Sequence, residues 1–354
     1  MNRSERIEQL VRPLIAGLKP YSSARDEYSA SREAMVFLDA NENPFESDVN
    51  RYPDPHQQKL KQRIAALRGV QENHLFLGNG SDDILDLLFR VFCEPYTDQV
   101  LCLPPTFGMY RVLSRVHGAQ LIEVPLDSNW QPDVEAILAH SGPTTKLLFL
   151  CSPNNPTGQS LDRGRVLELL SRFPGLVVID EAYIEFAGQP GFAEYLATFE
   201  NLVITQTLSK AYGLAGIRLG VCMAHPQVID YLKRVKLPYN ISELTQRHAL
   251  AALQDTDKLS REVALIRSER ARMAEELAKV PFISEVFASD ANFLLVRVDD
   301  AAIRYRQLIE RGVVVRNTSG YLNLPNTLRF TIGTPAENDR VLEILPTLID
   351  LTSV

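Results

Sequence analysis

The chain has 354 residues, 45% hydrophobic and 23% charged, with a formal net charge of -7. That length exceeds what one hydrophobic core usually supports, and that composition excludes a disordered chain. The acidic balance gives no long-range field to gather nucleic acid or an anionic membrane, and no run of about eighteen apolar residues marks a bilayer span.

The amino terminus, "MNRSERIEQLVRPLIAGL", mixes charges of both signs and lacks the apolar core of a secretory signal, so a cytoplasmic protein is expected. Residues 1–49 read as a segment that packs beside the small domain and the active site, and residues 50–245 as a large α/β domain. Its strands are "HLFLG", "QVLCLP", "KLLFLCSP", "LVVIDEAY", "NLVITQTLSK" and "LGVCMA". These runs are apolar on both faces and separated by helix-length intervals, which predicts a mostly parallel sheet flanked by helices. Leu60, Ile64 and Leu67, then Ile84, Leu87, Leu88 and Val91, recur at helical spacing in the gaps. Residues 246–354 read as a smaller α+β domain. A long helix carries Leu259, Val263, Ile266, Met273, Leu277 and Val280 on one stripe, and strands "NFLLVRV" and "LRFTIGT" flank a helix near 300 to 311. A last helix begins at the capping box Thr334-Pro335-Ala336-Glu337. Cys93, Cys102, Cys151 and Cys222 lie far apart in apolar runs and read as buried free thiols.

Polar residues fall at the carboxyl ends of the strands, where open α/β sheets place ligands. Asn155 follows "KLLFLC", Asp180 and Tyr183 follow "LVVI", and Ser209 and Lys210 follow "NLVIT". Singly, each has an ordinary reading as a turn, a cap or a solvated lysine. Together they suit pyridoxal phosphate, whose aldehyde condenses with a lysine amine, whose pyridine nitrogen needs a carboxylate and whose ring oxygen needs donors. The helix start at "GNGSDD" offers backbone N–H groups of Gly80, Ser81 and Asp82 to the phosphate, with Ser209 and Arg218 adding a hydroxyl and a fixed charge. The six histidines show neither helical pairing nor clustering with cysteine, so no metal site is expected.

In order, "LDANENPF", "RYPD", "GNGSDD", "PPTFGMYR", "CSPNNPTG", "VVIDEAYIEF", "TLSKAYGLAGIRLG" and "LRFTIGT" cover nearly the whole chain. This succession resembles the fold-type I pyridoxal-phosphate aminotransferases, and most closely the histidinol-phosphate aminotransferases among them. The resemblance implies pyridoxal 5'-phosphate as cofactor, with Lys210 holding it covalently and moving the substrate proton. Asp180 would face the ring nitrogen, Asn155 and Tyr183 the ring hydroxyl, and Gly80, Ser81, Asp82, Ser209 and Arg218 the phosphate. Phe107 stands where an aromatic residue, tyrosine in some members, stacks on the ring. Tyr52 matches a tyrosine that reaches the phosphate of the opposite subunit, which implies a homodimer with shared active sites. Arg329, with Arg316, Tyr21 and Asn155, matches the substrate-binding positions. The implied substrates are glutamate and a phosphorylated imidazole compound, in histidine biosynthesis. An aromatic amino-acid aminotransferase or a phosphothreonine decarboxylase on the same scaffold is the alternative. A cofactor-sensing regulatory domain is disfavoured, because no basic helix-turn-helix precedes the fold.

Overall fold

In a computed structural model of the protein, residues 3–19, 21 and 36–348 are described. Seven strands form the larger sheet: β1 (Leu75–Gly78), β2 (Gln99–Cys102), β3 (Gln120–Glu123), β4 (Thr145–Cys151), β5 (Leu176–Asp180), β6 (Leu202–Thr207) and β7 (Gly220–Ala224). Their order is β1-β7-β6-β5-β4-β2-β3. Only β7 runs antiparallel to its neighbours.

Every residue of β5, β6 and β7 is buried, as a sheet covered on both faces requires. Side chains alternate between two cores. Leu148, Leu150, Val177, Ile179 and Ile204 face one, while Phe149, Val178, Val203 and Cys222 face the other. The helix Gln58–Arg68 closes the first core with Leu60 and Ile64, and Ser81–Phe92 closes the second with Ile84, Leu87, Leu88 and Val91. Strand β3 was not expected from the sequence. It is an edge strand whose "QLIE" stays half-exposed, so it lacks the apolar run that marks its neighbours.

The second sheet is antiparallel, with β8 (Ile283–Val286), β9 (Phe293–Val298), β10 (Arg316–Asn317) and β11 (Thr327–Thr331) in the order β10-β11-β9-β8. The helix Thr256–Leu277 places Met273 and Leu277 in this sheet's core, whereas its first turns put Leu259 and Val263 against Phe186 and Phe293. It therefore bridges the two sheets. The helix Glu243–Ala252 packs on Gln58–Arg68, and Ala249 and Leu253 enter the core of the larger sheet. The capping box at Thr334 forms as its residues dictate: Thr334 Oγ1 accepts from Glu337 N, and the Glu337 carboxylate accepts from Thr334 N. All four cysteines are free and buried, and burial pushes the Cys102 thiol up to about 12. Among the described residues, no helix is long and apolar enough to cross a membrane.

Candidate active site

Strands β4, β5 and β6 end side by side, with Cys151 paired to Asp180 and Asp180 to Thr205. The segments that follow carry Asn155, Tyr183, Ser209 and Lys210 around one cleft of about 540 Å³, which Ser81, Asp82, Phe107, Asp180 and Arg218 also line.

One end of the cleft is built for an anion. The helix Ser81–Phe92 starts without a side-chain cap, and Gly80 before it takes a φ of 86°, which an L side chain rarely adopts. A Cβ on Gly80 would lie 2.6 Å from Arg218 Nη2, so the guanidinium rests directly on the loop. Gly220 permits a second close approach, since a Cβ there would meet the Gly80 carbonyl carbon at 2.4 Å. Arg218 has a left-handed φ of 53° and reaches Ser209 Oγ (3.3 Å) through Nη1, with Nη2 3.8 Å from Asp82. The Asp83 carboxylate turns back to accept from Asn79 N (2.9 Å). The Gly80 N–H is taken by Gly78 O (2.8 Å), so the N–H groups of Ser81 and Asp82 at the helix start, a hydroxyl and a guanidinium are what fit a phosphate dianion.

At the floor, Asp180 Oδ2 accepts from the Tyr110 hydroxyl (2.9 Å) and Oδ1 from Ala182 N (3.3 Å). Burial lifts this carboxyl from 3.8 to about 6, against the pull of those donors. Among the described residues no cation is ion-paired with Asp180. A buried carboxylate without a cation costs several kcal/mol, so the site suits a ligand that brings its own N–H⁺. A protonated pyridine answers that description.

Lys210 projects at the mouth, with Nζ 5.8 Å from the centroid of the Tyr183 ring. Partial burial holds its ammonium below the usual lysine range, and Arg329 and Arg218 push the same way against Asp82. Tyr183 is buried edge-on to Phe293 (5.2 Å), and burial raises its phenol. Arg329 on β11 donates to Asn155 Oδ1 and lies over Phe293.

Four expected side chains do not line the cleft: Arg329 reaches its edge only through Asn155, and Arg316, Tyr52 and Tyr21 lie farther off. Arg316 sits opposite Arg329 in the β10–β11 register, yet lines a neighbouring cleft with Arg111, Tyr321 and the far side of Phe107. Directly paired residues share a sheet face, and like charges there repel. Neither arginine has an ion-pair partner among the described residues. Tyr52 is exposed and stacks on Tyr239 (4.4 Å). Tyr21 is exposed, and most of its "LKPYSSAR" segment lies outside the described residues.

Sequence reasoning passed over three buried supports. Tyr110 holds Asp180. Asn154 ties the Asn155 loop to the Phe107 segment, donating to Pro105 O (2.9 Å) and accepting from Thr106 Oγ1 (3.0 Å). Glu181 Oε1 accepts from Phe192 N (2.7 Å) and Oε2 from Gln206 Nε2 (2.8 Å). Only the doubled Asn in "NNP" and the acid pair in "DEAY" hinted at the last two.

Burial lifts the Glu181 carboxyl from 4.5 to about 7, so folding favours its protonated form. That stabilisation is complete below about 4.5 and lost as pH rises through about 7. Glu181→Gln removes the titration, and the replacement can be seated because Gln206 Oε1 has no partner among the described residues. The melting temperature of the variant minus that of the parent, measured without cofactor, should therefore rise between pH 4.5 and 7. A constant difference would contradict this.

No group of His, Cys, Asp and Glu suited to a metal occurs among the described residues. The family described as aminotransferase class I and II matches residues 35–345. The histidinol-phosphate aminotransferase of Flavobacterium johnsoniae is 50% identical over 97% of this chain and 98% of its own. The solved histidinol-phosphate aminotransferase of Clostridium acetobutylicum superposes with a TM-score of 0.79 at 26% identity, over 85% of this chain and 91% of its own. That of Sinorhizobium meliloti, in complex with pyridoxal-5'-phosphate, gives 0.77 at 28% identity over 85% and 83%. Near-complete coverage at half identity is decisive: the chain belongs to aminotransferase class I and II, in the branch of the histidinol-phosphate aminotransferases.

Proposed function

We propose that the protein is a pyridoxal 5'-phosphate-dependent transaminase that interconverts L-histidinol phosphate and 2-oxoglutarate with imidazole-acetol phosphate and L-glutamate. It would serve histidine biosynthesis in the cytoplasm. The observation that carries the substrate class is the pair Arg316 and Arg329, opposite each other and without an ion-paired carboxylate among the described residues, beside the cleft that holds Lys210. Two such guanidiniums suit a phosphate ester, and Arg329 alone suits a carboxylate.

When bound, the cofactor supplies an electron-withdrawing ring that stabilises negative charge on the substrate's α-carbon. The backbone N–H groups of Ser81 and Asp82, approached closely because Gly80 lacks a side chain, would hold its phosphate with Ser209 and Arg218. Phe107 would cover the ring face, and Asn155 and Tyr183 would donate to the ring oxygen. Asp180 would hold a proton on the ring nitrogen. Lys210 Nζ would hold the cofactor covalently at rest and, as a free amine, would take the proton from the substrate's α-carbon and return it on the cofactor side. Mixing apoprotein with cofactor and then glutamate alone tests this. The near-visible absorbance of the tethered cofactor should disappear with release of 2-oxoglutarate and no carbon dioxide. An unchanged spectrum would refute it.

The reading includes a homodimer. Tyr52 is exposed and outside its own chain's cleft, and the stretch that leads to it leaves Val36, Leu38 and Phe45 more than three-quarters exposed. Tyr52 of the partner subunit would complete each phosphate site. Inactive Lys210→Ala protein, unfolded and refolded together with Tyr52→Ala protein, should regain turnover, because each hybrid contains one intact site. No recovery in hybrids shown to form would exclude sharing.

A further inference from the structure

Tyr110 is wholly buried. It belongs to the helix Met109–Val116, stacks on Phe149 (4.7 Å, 11°) and meets the edge of Phe107 (5.7 Å, 86°). That packing aims its hydroxyl at Asp180 Oδ2 (2.9 Å), with the Cys151 thiol as its other neighbour. The other carboxylate oxygen accepts a longer bond, 3.3 Å from Ala182 N, and the Thr205 hydroxyl is a weaker contributor to the same carboxyl.

We propose that Tyr110 is a positioning residue that acts through Asp180, its buried hydroxyl holding the charge and aim of the carboxylate under the cofactor ring. A hydrogen bond to the ionised form favours that form, and the bond matters most where water is absent. Without it, Asp180 keeps only the weaker donors Ala182 N and Thr205, and a proton shared with a ring nitrogen would move toward the carboxylate. Tyr110 also touches Phe107, so the same side chain aligns the wall of the ring site with its floor. This inference rests on the transaminase reading above, because it needs a pyridine nitrogen over Asp180.

The test is Tyr110→Phe, which removes one oxygen and preserves the stacked ring. Parent and variant are loaded with pyridoxal phosphate carrying ¹⁵N in the ring. The parent should give the shift of a protonated nitrogen and the variant a shift moved toward the unprotonated value. The glutamate half-reaction should slow roughly 10- to 100-fold, as expected for loss of a hydrogen bond to a charged group, with little change in KM. In an Asp180→Asn background, Tyr110→Phe should cost nothing further, because the residue acts only through that carboxylate. An unchanged ¹⁵N shift, or a full additional loss in that background, overturns the proposal. If Tyr110→Phe fails to fold, 3-fluorotyrosine at Tyr110, a stronger donor of the same shape, should move the shift the opposite way, and no movement refutes it. A parent protein that takes up no cofactor would instead overturn the transaminase reading, and this inference with it.

Discussion

Lys210→Ala should lose the near-visible absorbance of tethered cofactor and slow turnover by roughly 10²–10⁴-fold or more, the range that a positioned base contributes. Two functions depend on one nitrogen, because Nζ both anchors the cofactor and moves the substrate proton. Its position explains why. Lys210 follows β6 at the mouth of the cleft, where partial burial and the charges of Arg329 and Arg218 hold its ammonium below the usual range. The neutral amine that both tasks require is thus more populated. The variant should still take up the cofactor, because Arg218, Ser209 and the helix start at Ser81 are untouched. Stopped-flow absorbance and a steady-state assay check both parts. Retention of absorbance and turnover would remove Lys210 from the mechanism.

Arg329→Ala should lower kcat/KM for glutamate and for the phosphate substrate alike. Truncating one member of a desolvated charge contact costs upwards of about 2 kcal/mol, and for a half-buried group such as this about 2–3, or roughly 30- to 150-fold. Asn155 would also lose its partner and could turn from the ring oxygen. Arg316→Ala should act differently. Its side chain reaches the neighbouring cleft behind Phe107, so the loss should fall on the phosphate substrate and spare glutamate. Equal effects of both substitutions on both substrates would contradict this division. Arg329→Lys should recover little, because a point charge cannot reproduce the forked contact.

How far the sequence was legible follows from what each residue packs against. The strands of the sheet centre were legible because both faces are buried, which writes an unbroken apolar run. Asp180, Asn155 and Lys210 stood out because each interrupts such a run at its carboxyl end. Edge strand β3, with one face in solvent, writes no such run. Strand β10, two residues long, was equally silent, and with it the register that sets Arg316 against Arg329. Tyr110, Asn154 and Glu181 share a different reason. Their work is to hold another side chain or loop, and a pairing across 70 residues, as between Tyr110 and Asp180, leaves no local pattern.

The most direct test of the account compares amino acceptors. Purified protein, loaded with pyridoxal phosphate and supplied with glutamate, is assayed against imidazole-acetol phosphate, phenylpyruvate and oxaloacetate. The account predicts the highest kcat/KM for imidazole-acetol phosphate, because only that acceptor brings a phosphate to Arg316 and Arg329. Preference for phenylpyruvate would contradict it and indicate an aromatic amino-acid aminotransferase. Release of carbon dioxide from phosphothreonine, without exchange with glutamate, would contradict it and indicate a decarboxylase.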